Sequence, residues 1–96
     1  MLVDESFGVT SDGCYQLTRV HHHDSRVIRI RIRRDFYSHQ SSAVAEVLTP
    51  ELTWTELAHL LPVHWHHATP YRTGNPEPLE PLADQLLTRA LAILTT

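Results

Sequence analysis

Arg26-Val27-Ile28-Arg29-Ile30-Arg31-Ile32-Arg33-Arg34 is the stretch on which the fold turns. Ile28, Ile30 and Ile32 take every second position, and Arg29, Arg31 and Arg33 fill the places after them or between them. Side chains on a β-strand point alternately to two faces, so this spacing sends isoleucine to one side and arginine to the other. A helix would scatter the same isoleucines around its circumference. β-Branched residues also suit a pleated, half-buried surface. The stretch reads as a strand with a dry face and a wet one.

Working upstream, Cys14 to Val20 reads as a second strand, and His22-His23-Asp24-Ser25 as a four-residue hairpin loop joining the two. That loop pairs Val20 with Val27, Leu17 with Ile30 and Tyr15 with Ile32, and sets Arg29 against Thr18 and Arg31 against Gln16. A slip of one residue would mix the faces, so this register is preferred. Ser11-Asp12-Gly13 is a turn signal, and residues 1–13 read as a flexible lead-in.

Downstream, residues 34–38 break the alternation and read as a connection. Ser42 to Leu48 suits a third strand, whose small Ala43 and Ala45 leave room for something bulky above them. Thr49-Pro50-Glu51 has two readings. It is a good helix start, with Trp54, Leu57, Ala58 and Leu61 on one helical face. It is equally a hairpin turn entering a fourth strand. Residues 62–78 read as irregular, with five prolines and glycines in the stretch. Residues 79–95 read as a helix, because Leu79, Leu82, Ala83, Leu86, Leu87, Ala90, Leu91 and Leu94 follow the i, i+3, i+4 rule. Pro81 is tolerated only in its first turn.

The expected fold is therefore α+β: an antiparallel β-meander of three or four strands over residues 14–61, covered on one face by a C-terminal amphipathic helix. Ninety-six residues make one domain. Cys14 is the single cysteine, which excludes an internal disulfide and a cysteine-based zinc site. No apolar run reaches membrane-spanning length, so no membrane role and a cytoplasmic location are expected.

All eight basic residues are arginine. Residues 19–34 hold six of them against Asp24, a balance of +5, while the rest of the chain holds Arg72 and Arg89 against ten acids, or −8. A basic face on an acidic body results.

The run from Arg29 to Ala43, with Arg34-Asp35, Tyr37 and Gln40-Ser41, followed by Trp54-Thr55, resembles small actinobacterial and actinophage proteins. Those carry a similar strand, an Arg-Asp-x-Tyr-x-x-Gln-Ser connection, another strand and a Trp-centred segment. The resemblance spans roughly residues 26–65. It implies a β-meander and tips the segment after Thr53 towards a strand. It implies no function.

Three chemistries compete for the remaining residues. Arg29, Arg31 and Arg33 project from one face about 6.6–6.8 Å apart, near the spacing of phosphates along an extended nucleic-acid strand. The bland alternative is a solvated face whose arginines pair with Glu46 or other acids. Eight histidines include His64-Trp65-His66-His67, where His64, His66 and His67 are candidate metal ligands. Nucleophile elbows and glycine-rich phosphate loops are missing from the sequence, so neither an enzyme nor a cofactor is expected. The leading expectation is a non-catalytic accessory or regulatory protein. It would bind a protein partner, or a second copy of itself, through a sheet edge or through Arg29, Arg31 and Arg33 with Tyr37 and Trp65. Nucleic acid on the same arginines is the alternative.

Overall fold

The computed structural model describes residues 1–9, 14–35, 37–65 and 79–95. They form a five-stranded antiparallel meander in the order β1-β2-β3-β4-β5. The strands are β1 Leu2–Val9, β2 Tyr15–His23, β3 Arg26–Arg34, β4 Ser42–Leu48 and β5 Trp54–His59. Short 3-10 turns cover Ser38–Gln40 and Pro62–His64, and one helix, α1, runs Glu80–Leu94. The α+β meander under a C-terminal helix is as the sequence implies, with five strands in place of three or four.

The additional strand is β1, which occupies most of what the sequence suggests is a flexible lead-in. It pairs with β2 from Leu2↔His21 to Val9↔Tyr15, with an irregularity between Leu2 and Asp4. All eight of its residues are exposed. No burial pattern marks such a strand in a sequence. Of the stretch 62–78, residues 62–64 form the second 3-10 turn. Residues 66–78 lie outside the described residues.

The β2–β3 register is a correction. His23 pairs with Arg26, so the hairpin loop is Asp24-Ser25 alone, and Leu17 faces Ile32 rather than Ile30. Tyr15 faces Arg34, Val20 faces Arg29 and Thr18 faces Arg31. The slip is two residues, so every side chain keeps its expected face. Both loop residues have positive φ, 49° and 62°, the conformation that two-residue hairpins need to match strand twist.

Thr49-Pro50-Glu51-Leu52 resolves as a turn. The amide of Leu52 donates to the Thr49 carbonyl at 2.9 Å, and that of Thr49 to the Thr53 carbonyl at 2.8 Å. Proline suits the second position of such a turn as well as it suits the start of a helix. Leu52 then sits at φ 65° while 78% exposed, a conformation that usually falls to glycine.

One face of the sheet is dry. Leu17, Ile28, Ile30, Ile32, Ala43 and Ala45 pack with Leu60, Trp65, Leu79, Leu82, Ala83, Leu86 and Ala90. The helix rests mainly on β3, β4 and β5. Alanines on both sides, Ala43 and Ala45 below and Ala83 and Ala90 above, allow close approach and are each no more than 2% exposed. Pro81 lies in the first turn of α1, where its missing amide breaks no helical bond.

Leu52→Gly is expected to stabilise the protein by about 1 kcal/mol, because an exposed leucine loses no packing and the left-handed conformation is relieved. For a domain of this size that is a Tm rise of about 4–8 °C. Thermal unfolding of the variant beside wild type reads it directly, and a fall in Tm would contradict the turn.

Candidate functional site

On the wet face of the sheet, Arg29, Arg31 and Arg33 project from β3, as alternation requires. They do not stand free in solvent. Glu46 of β4 is directly paired with Arg29 in the ladder. Its Oε1 accepts from Arg29 Nε at 3.0 Å and from Arg31 Nε at 2.8 Å, and its Oε2 accepts from Arg31 Nη2 at 3.1 Å. Glu46 itself is only 8% exposed. The Arg29 guanidinium lies 4.0 Å from the centroid of the Trp54 ring on β5. One carboxylate and one indole thus tie three adjacent strands together.

Arg33 belongs to a second knot. Its Nη2 donates to Cys14 Sγ at 3.1 Å and to Asp35 Oδ2 at 3.3 Å. The Cys14 thiol donates to the same Asp35 oxygen at 2.8 Å. The Tyr37 amide donates to Asp35 Oδ1 at 3.1 Å, and the Asp35 amide donates to Ser41 Oγ at 2.9 Å. With its amide turned to donate, Gln40 reaches both Asp35 oxygens at 3.2 Å. Asp35 and Cys14 are both buried. This arrangement closes the β3–β4 connection around a buried carboxylate. The Tyr37 ring remains 55% exposed beside it, with the His39 ring centroid 5.6 Å away.

Trp65 is not part of the arginine face. It is 9% exposed, packs in the isoleucine core on the other side of the sheet, and donates from Nε1 to the Leu60 carbonyl at 3.2 Å. The sheet itself separates Trp65 from Arg29, Arg31 and Arg33. Arg33 and Tyr37 do meet, through Asp35.

His64 is exposed at the end of the second 3-10 turn. His66 and His67 lie outside the described residues. Among the described residues, no three His, Cys, Asp or Glu side chains gather into a metal-ligating group.

His21 lies on the dry face opposite Ile28 and is 8% exposed. Burial lowers its pKa below the ordinary 6.5, and the chain's amino terminus and Arg19 push it further the same way, while Asp84 opposes them. Arg19 in turn bridges Glu5 of β1 at 2.6 Å and Asp84 of α1 at 3.1 Å. For Glu46, burial alone raises the pKa, but the hydrogen bonds and charges of Arg31 and Arg29 outweigh it and hold the carboxyl below 4.5.

The feature that sequence reasoning missed is the β1 edge. Leu2, Val3, Phe7 and Val9 are 46–60% exposed on it. The Phe7 ring stacks on Tyr15, with centroids 6.5 Å apart. Phe7-Gly8-Val9 carries the only trace of period two, too short to be read as a strand by itself. No described helix is long and apolar enough to cross a membrane.

These two groups set two acid windows. The folded protein resists protonating His21, so stability falls as pH drops below 6.5, with a slope of up to about 1.4 kcal/mol per pH unit for one proton. Glu46 stabilises as a carboxylate above 4.5, and that contribution is lost as pH falls through its lowered folded value. Denaturant titrations from pH 8 to pH 3 should show both declines. His21→Leu is expected to flatten the upper one alone. Glu46→Gln is expected to flatten the lower one alone, and to cost about 1–3 kcal/mol at neutral pH. Compared with family models, curated proteins and solved structures, the chain matches none.

Proposed function

We propose that this chain is a non-catalytic accessory protein that binds a protein partner by strand addition at β1. The supporting observation is the state of that edge. β1 ends the described sheet, exposes every residue, and presents four apolar side chains beside an outer edge with no neighbouring strand among the described residues. Edges of this kind are ordinarily blunted by charge, proline or a covering element, because they template pairing with another chain. Asp4 and Glu5 are its charged residues, and Glu5 is engaged by Arg19. An added strand would gain main-chain hydrogen bonds from the edge and side-chain burial from Phe7, Val9 and Tyr15.

The arginine face supports binding less well than its sequence suggests. Two of its three guanidiniums hold Glu46, and releasing them to a phosphate would leave a buried carboxylate unpaired. The separation of Trp65 from that face removes one of its aromatic anchors.

The reading is tested by affinity capture from source-cell extract with three baits: wild type, Phe7→Lys/Val9→Lys, and Arg33→Ala/Tyr37→Ala. The changed positions in the first variant are exposed, so it should fold as wild type does within about 1 kcal/mol. A partner retained by wild type and the face variant, and lost by the edge variant, is expected. A partner lost only by the face variant would move the contact to Arg33 and Tyr37. A mobility shift with nucleic acid at about 50 mM salt would overturn the protein-partner reading in favour of phosphate binding.

A further inference from the structure

At the opposite margin of the sheet from β1 lies a cleft of about 470 Å³ between β5, the second 3-10 turn and α1. Three elements build it. Leu82, Gln85 and Arg89 form one stripe of α1 at i, i+3 and i+7. His59 ends β5 and Leu60 follows it, while His64 ends the second 3-10 turn and Trp65 caps it. The wall is apolar and fixed: Leu60, Leu82 and Trp65 are each at most 9% exposed, and the Trp65 indole is held by its bond to the Leu60 carbonyl.

Arg89 is the one fixed charge among the described residues that line it. None of the described lining residues is acidic. His59 already uses Nδ1 against Glu56, at 3.0 Å. Arg89 forms no ion pair and no side-chain hydrogen bond among the described residues, and the same holds for Gln85 and for the His64 ring. Arg19, Arg29, Arg31 and Arg33 of the sheet each lean on a carboxylate, and among the described residues Arg89 does not. A cleft of this size, with an apolar wall on one side and polar groups on the other, suits a small ligand that is itself apolar at one end and polar at the other. A planar guanidinium matches the two oxygens of a carboxylate.

We propose that this cleft binds a small amphipathic carboxylate, with its apolar body against Leu60, Leu82 and Trp65 and its head on Arg89, steadied by Gln85. The site does not depend on the β1 edge, since the full width of the sheet separates them. Binding requires no covalent step.

The test uses 4-phenylbutyrate as probe, with 4-phenylbutyramide as its uncharged analogue and acetate as its head alone. Trp54→Phe leaves Trp65 as the sole tryptophan, so its fluorescence reports the cleft. Saturable quenching by the carboxylate is expected, with a Kd of about 1 mM or tighter, binding at least about tenfold weaker for the amide, and no saturation with acetate. Arg89→Ala is expected to weaken the carboxylate at least about tenfold while leaving the unfolding midpoint unchanged. An NMR titration of the unsubstituted protein guards against a silent tryptophan, and should shift the amides of residues 59–65 and 82–89. Absence of saturation by both methods up to about 10 mM overturns the proposal. Equal affinity for acid and amide overturns it too, as does undiminished binding by Arg89→Ala.

Discussion

Three arginines on alternate positions of one central strand place like charges about 7 Å apart on a single face, and such an array repels itself unless a carboxylate stands within it. Glu46 is that carboxylate. It is nearly buried, so it carries a desolvation cost, and it is tolerable there only because two guanidiniums supply three hydrogen bonds to its two oxygens. The dependence runs both ways. Without Glu46, Arg29 and Arg31 lose their counter-charge, and without them Glu46 would be a buried unpaired ion. The register of β3 against β4 is set by this mutual need on one face and by isoleucine burial on the other. The cation stacked on Trp54 then extends the lock to β5.

That pairing also divides what the sequence could disclose from what it could not. Period-two alternation placed Ile28, Ile30 and Ile32 inside, because burial acts on the parity of a position. Parity is blind to a shift of two, and the hairpin loop was accordingly misjudged. The deciding residues, Asp24 and Ser25, both adopt positive φ without glycine, so the usual signature of a two-residue turn was missing. Thr49-Pro50-Glu51 was ambiguous for a related reason. A proline with φ near −65° begins a turn or a helix equally well. Tertiary pairing chose the turn, since β5 completes the ladder and brings Trp54 under Arg29.

The candidate surfaces were legible in part. Glu46 was identifiable as a partner for the arginines, because opposite charges on neighbouring strands are the simplest relief of that stripe. The place of Trp65 was not, since which side of the sheet a residue after a 3-10 turn will take depends on how the chain folds back. β1 was illegible on physical grounds. A strand exposed along its whole length bears no burial pattern, and its pairing with β2 is backbone to backbone. Its ion pair from Glu5 through Arg19 to Asp84 spans 80 residues of sequence.

The position of the helix bears on why, among the described residues, the β1 edge has no cover. It lies over β3, β4 and β5, where Ala43 and Ala45 admit it, and not over the β1 margin. The small residues of β4 therefore determine the position of α1, and the position of α1 determines what stays uncovered. On one side it leaves Phe7, Val9 and Tyr15 near the outer edge of β1. On the other it brings Leu82, Gln85 and Arg89 down against the end of β5. The wet face between them is closed by Glu46 and Asp35, whose bonds are directed inward and stabilise the fold. The two proposed contacts thus lie at opposite margins of the sheet, away from the closed wet face.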